Sequence, residues 1–90
     1  MQSPYSAWCL EKLAEIALLE HNTTRAVCIF AAARAIRTHV NSVIDPADQP
    51  HYDNLIGQLR AQMNDKTFDA IWIKGESLSL EEIISYVTDK

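Results

Sequence analysis

Glycine, proline and cysteine are scarce in this sequence, at two, three and two residues among 90. So few glycines and prolines leave room only for short connections, and no glycine-rich phosphate loop is present. There is no basic run and no basic patch interleaved with aromatics, and the net charge is -4, so general nucleic-acid affinity is not expected. No apolar stretch is long enough to cross a bilayer, and no basic-then-apolar leader opens the chain. A soluble, cytoplasmic protein without membrane contact is the expectation. His21, His39 and His51 fall at helix ends or in a loop without Cys or Asp at ligand spacing, which argues against a metal site. If Cys9 and Cys28 lie on the two arms of a helical hairpin turning near residue 22, they stand roughly 10 Å apart along the axis, beyond the reach of a disulfide.

What the chain does contain is apolar surface at helical spacing. A hydrophobic fraction of 48% with 22% charged residues is that of a globular protein, and 90 residues make one domain with a modest margin of stability. In Thr24 to His39, Ala26, Ile29, Phe30, Ala33, Ile36 and Val40 recur at three- and four-residue steps. Val27, Cys28, Ala31, Ala32 and Ala35 fill most of the remaining circumference. A helix apolar nearly all round is a buried helix, so this segment is expected to be the one around which the others pack. Arg34 and Arg37 interrupt it, and Arg37 needs an acid, for which Asp48 and Asp53 are the candidates.

Before that helix, Ser3 and Pro4 mark the start of another that runs to about residue 21. Leu10, Leu13, Ala14, Ala17 and Leu18 form its inward stripe, with Glu11, Lys12 and Glu15 opposite. Asn22 is expected to take the left-handed conformation at its end, and Thr23 or Thr24 to cap the next. After Val40 the segment NSVIDPADQP marks a loop, with a cap at Asp48 and Pro50 in the first turn of a third helix ending at Asn64. Asp65 is expected to cap a fourth helix, stopped by Gly75. Ser79 and Glu82 have the spacing of a capping box for a fifth, with Leu78 and Ile83 as a hydrophobic staple. The fold class is therefore all-α, an antiparallel helix array. It comprises a tetratricopeptide-like hairpin over residues 3–39 and a three-helix C-terminal cap over residues 48–88, in one domain covering 1–90.

Leu10, Leu13, Ala14 and Ala17, then Ala26, Phe30 and Ala33, fall at the positions of a tetratricopeptide repeat, with Leu and Ala replacing the usual Trp and Tyr. On these residues, and on LEKLAEIA, RAVCIFAAARAIR and the stretch from Tyr52 through LRAQMNDKTFDAIWIKGESLSLEEIISYV, the chain resembles a known family. It is similar to the C-terminal end of the tetratricopeptide-like repeat region of large bacterial signal-transduction and transcriptional regulators. In that family a P-loop ATPase module precedes the repeats, and a LuxR-type or winged-helix DNA-binding domain, or a nucleotide cyclase domain, lies elsewhere. Ala31 to Arg37 match the family phrase "LxGAAEALR" with Ala for Gly and Arg for Glu. Phe68, Ala70, Trp72, Gly75, Leu78 to Ile83, Tyr86 and Val87 match its closing phrase. Ile71 in place of Ala, and the extra Pro50, depart from it. The matching residues are packing, capping and turn residues, so the resemblance carries no catalytic or cofactor site to this chain.

The resemblance implies a fragment of a longer chain, a non-enzymatic helical repeat module that works through protein contacts. Its partners would be the upstream repeats and ATPase module of the parent chain, or a protein or peptide. Glu11 with Glu15, and Glu81 with Glu82, are better explained as a solvated face and a favourable charge at a helix N-terminus than as catalytic pairs. The alternative is a DNA-binding helix-turn-helix-like domain built from the last two helices, but Glu81, Glu82 and Asp89 would repel phosphates. Cut from its upstream repeats, the first helix would present Tyr5, Trp8, Cys9, Ile16 and Leu19 as an interaction surface. An isolated chain is then expected to dimerise through that helix.

Overall fold

The computed structural model describes residues 4–41 and 43–88, with side chains described for residues 7–41, 43–79 and 81–86. Five helices follow one another: α1 (Pro4–Leu19), α2 (Thr23–His39), α3 (Gln49–Ala61), α4 (Asp65–Glu76) and α5 (Leu80–Thr88). The described residues include no strand, and the architecture is an all-α array. The expected cap of α1 at Ser3 lies outside the described residues.

α2 is the axis of the array and contacts all four other helices. Ala26 through Ala33, Ile36 and Arg37 are buried, as its all-round apolar character requires. Against one side lie Ala7, Leu10, Ala14 and Ala17 of α1, where small side chains on both helices allow close approach. Leu13 does not join that stripe. It is 40% exposed, displaced toward the outer side, while Ala7 takes up the inward position one turn before Leu10 and Glu11.

α4 packs on another side of α2 through Gly75. A Cβ there would lie 2.5 Å from the Cys28 carbonyl oxygen and 2.7 Å from Ala31 Cβ. Gly75 therefore does not stop α4, which continues to Glu76 with Ser77 as its C-cap and no glycine at positive φ. Its role is to bring two backbones together. Phe68 and Leu59, both buried, close the core from α4 and α3, and Ile83 closes it from α5. α3 runs beside α1 in the same direction: Glu15 meets His51 near the start of α3, and Leu18 and His21 border one groove with Gln58 and Gln62 near its end.

The connections show how each helix is delimited. At the end of α1, His21 adopts φ 62, its N–H donates to Leu18 O, and the N–H of Asn22 donates to Ala17 O. These two bonds form a Schellman motif, so the left-handed residue is His21 rather than Asn22. Asn22 instead caps α2, its side chain accepting from Arg25 N–H at 3.4 Å, in place of Thr23 or Thr24. The same shift by one residue occurs before α4. Asn64 is extended and its side chain accepts from Thr67 N–H at 2.7 Å, so Asn64 is the cap, Asp65 is the first helical residue, and α3 ends at Ala61. In both cases the amide one residue earlier reaches the free N–H groups of the first turn. Before α3, Asp48 occupies the N-cap position without a side-chain cap bond, and Pro50 lies in the first turn. The capping box of α5 is complete: Ser79 N–H donates to Glu82 Oε1 at 2.9 Å, and Glu82 N–H donates to Ser79 Oγ at 3.1 Å.

The buried cation of α2 finds its acid on α1, not on the loop or α3. Arg37 Nε and Nη2 donate to the two carboxylate oxygens of Glu11 at 2.7 and 2.8 Å, and Nη1 donates to Val43 O at 3.2 Å. Their side chains are 10% and 12% exposed. Glu11 thus belongs to the edge of the inward side of α1, one turn from Ala7 and Ala14, and not to its solvated side. The fork holds α1, α2 and the α2–α3 loop together, and the Glu11 bonds raise the Arg37 pKa against the opposing effect of burial.

Candidate functional site

Two surfaces are candidates for function, and the first is the outer side of α1. Its inner arc is spent on α2, yet its outer arc carries Trp8 (46% exposed), Ile16 (50%) and Leu19 (79%). Cys9 is half-buried beside them, and the side chain of Tyr5 lies outside the described residues. Leu13 adds to this face instead of to the core. Between α1 and α2 runs a groove of about 440 Å³, lined by Leu13, Ile16, Ala17 and Ile29 together with Glu20 and Arg25.

Charge on this face is sparse. The Lys12 ammonium lies 3.1 Å from Glu15 and 5.5 Å from the centre of the Trp8 ring. Glu15 is half-buried, and His51 Nε2 lies 3.0 Å from its other oxygen. Partial burial works against its ionisation, but the hydrogen bonds from His51 and Lys12 prevail and hold the carboxyl below its ordinary value. His51, itself exposed, therefore links α3 to α1; His21 and His39 are exposed as well.

The second surface is a cleft of about 420 Å³ between α2, α3 and α4. Trp72 is half-buried there, stacked on Phe68 with ring centroids 5.6 Å apart and planes at 18°. Arg34 of α2 and Tyr52 and Ile56 of α3 share its cleft. Arg60 covers the other part of Phe68, 4.2 Å from its ring centre, and stands 3.6 Å from Asp65. Burial pushes the Tyr52 phenol up, with Arg34 opposing, and Tyr52 meets Phe30 edge-on at 5.7 Å. Spacing within α4 places Phe68 and Trp72 on one side, but the sequence holds no local sign that α3 would form the opposite wall.

Glu11 is committed to Arg37, Glu82 to Ser79, and Glu15 to Lys12 and His51. The Cys28 thiol is buried under α4, and burial pushes its pKa up, away from the thiolate. Cys9 and Cys28 are both free thiols. Among the described residues no three His, Cys, Asp or Glu side chains gather in a way that holds a metal ion. Among the same residues no helix is long and apolar enough to cross a membrane. No protein-family model matches this chain, and no curated protein or solved structure matches it.

Proposed function

We propose that this chain is a non-enzymatic helical module that works through protein contacts made by the outer side of α1. The observation that carries this reading is a helix apolar on both sides: Ala7, Leu10, Ala14 and Ala17 face the core while Trp8, Leu13, Ile16 and Leu19 face outward. Large apolar side chains contiguous on one exposed face mark a contact surface. In the tetratricopeptide-like reading that face receives the preceding helical hairpin, and α3 to α5 cover the far side of α2 as a terminal cap. The parent would then be a cytoplasmic bacterial regulator of transcription or signalling, and this module would dock on its adjoining repeats or its ATPase module.

Titration with the adjoining repeats of such a parent chain, followed by calorimetry, tests the reading. Saturable binding is expected, weakened at least ten-fold by Leu19→Glu, because a charge is buried unpaired in an apolar contact. Binding unaffected by Leu19→Glu, or saturable binding of duplex DNA at low salt, would overturn it. The latter would favour the helix-turn-helix reading of α4 and α5, whose exposed Glu81 and Glu82 argue against phosphate contact.

A further inference from the structure

We infer that the cleft between α2, α3 and α4 is a binding site for a free α-amino acid with an apolar side chain. The site is separate from the outer side of α1 and does not depend on how that side is read. Two rows at four-residue spacing form its walls, Tyr52, Ile56 and Arg60 on α3 and Phe68, Trp72 and Glu76 on α4. The rows run in opposite directions. Arg60 lies over the Phe68 ring and stands 3.9 Å from Asp69, which sets Ile56 level with Trp72 and Tyr52 level with Glu76. Arg34 of α2 belongs to the Tyr52 and Glu76 end. Gly75 packs on Ala31, so Glu76 and Arg34 follow that contact by one residue and one turn, and the Arg34 guanidinium stands close enough to the Tyr52 phenol to favour its ionisation.

The two ends of the cleft differ in how their charges are met. At the Phe68 end Arg60 has Asp65 and Asp69 beside it, and along the α3 wall Asp53 accepts from Gln49. At the other end, among the described residues, neither Arg34 nor Glu76 is in an ion pair, although both line the cleft. Glu76 is moreover the last residue of α4, where the helix dipole disfavours an anion and favours a cation brought to it. A ligand that suits this end carries an anion and a cation side by side, and one that suits the rest carries an apolar body over Trp72 and Ile56, both half-buried. An apolar α-amino acid has these three parts. Its carboxylate meets the Arg34 fork, its ammonium meets Glu76, and its side chain lies between Trp72 and Ile56. A simple cation would be repelled by Arg34, and a simple anion by Glu76. The cleft of about 420 Å³, closed at one end by Arg60, is of a size for one small molecule.

Titration of the 90-residue chain, labelled with 5-fluorotryptophan, with L-leucine tests this by fluorine NMR. The Trp72 resonance should move saturably with a Kd of about 0.1 to 1 mM while the Trp8 resonance stays in place. Leucinamide, which lacks the carboxylate, and N-acetyl-leucine, which lacks the ammonium, should each bind at least about ten-fold more weakly. Arg34→Gln should weaken L-leucine about ten-fold and leave leucinamide unchanged, whereas Glu76→Gln should weaken L-leucine about ten-fold and leave N-acetyl-leucine unchanged. Both residues are exposed, so neither replacement threatens the fold. A Trp72 resonance that stays in place up to about 50 mM L-leucine would overturn the inference. So would leucinamide or N-acetyl-leucine binding as tightly as L-leucine, or variants that weaken all three ligands alike. None of these outcomes touches the proposed function, which stands or falls with Leu19→Glu.

Discussion

Replacing Gly75 by alanine should destabilise the domain, and the same replacement at Gly57 should stabilise it. At Gly75 the added methyl would stand 2.5 Å from the Cys28 carbonyl oxygen, and since ordinary contact begins near 3.4 Å, α2 and α4 must part there by about 0.9 Å. The obstructing atom belongs to a helix backbone and cannot swing aside as the end of a side chain would. Overpacking of this kind costs about 3 kcal/mol at the upper end, and the better helix propensity of alanine returns about 1 kcal/mol, leaving a net loss of about 2 kcal/mol. Gly57 is also within a helix, but nothing lies within 4 Å of the position its Cβ would take. There only the propensity gain of about 0.5 to 1 kcal/mol remains. In a domain of this size 1 kcal/mol moves the melting temperature by roughly 4 to 8 °C. Thermal denaturation followed by circular dichroism should thus show a fall of roughly 8 to 16 °C for Gly75→Ala and a rise of a few degrees for Gly57→Ala. Equal stability of Gly75→Ala and the unaltered protein would refute the close α2–α4 approach.

Three further outcomes are expected. Arg37→Ala should cost about 3 to 5 kcal/mol in urea unfolding, because Glu11 is left buried without its cation, and combining Arg37→Met with Glu11→Leu should cost less than that; a double replacement as damaging as the single one would show that the fork is not the linkage it is described to be. Ser79→Ala should cost on the order of 1 kcal/mol, and the capping box should show in pH dependence. The Ser79 N–H and then its hydroxyl hold the Glu82 carboxyl below its ordinary value, so its contribution is present above the carboxylate pKa of the unfolded chain and disappears as pH falls through the lower folded value. The melting difference between the unaltered protein and Glu82→Ala should therefore shrink on acidification, and a constant difference would contradict the charged cap. Trp72→Ala should cost about 2 to 3 kcal/mol, less than a fully buried Trp, because half of its surround is the open cleft and its main partner is the Phe68 ring; a loss above about 4 kcal/mol would place it in the core instead.

The helices were legible because each depends on short-range information. The all-round apolar character of α2, the Ser79–Glu82 spacing and the Asp48–Pro50 start can each be read within one or two turns, and the structure has them at those positions. Features misread by one residue, His21 for Asn22 and Asn64 for Asp65, turn on backbone conformations that two neighbouring polar residues are both able to adopt. Pairings across the fold were not legible. Arg37 selects Glu11 rather than Asp48 or Asp53 because the α1–α2 approach, set by alanines on both helices, brings the inner edge of α1 within reach of its guanidinium. Gly75 carries the signature of a helix stop and serves as a packing contact, a distinction that depends on where Cys28 lies. Of the candidate surface, Trp8, Ile16 and Leu19 could be named from the helical period, whereas the outward turn of Leu13 and the Trp72 cleft required the packing of α1 and α3.

The chain has two tryptophans, and each reports on one of the candidate surfaces: Trp8 on the outer side of α1, Trp72 in the α2–α4 cleft. Labelling both with 5-fluorotryptophan gives two fluorine resonances, which can be followed by NMR as the protein engages a partner. If the outer side of α1 is the contact surface, the Trp8 resonance should shift and broaden with increasing occupancy while the Trp72 resonance stays in place. Movement of Trp72 with Trp8 unchanged would contradict the account and move the contact to the cleft between α2, α3 and α4.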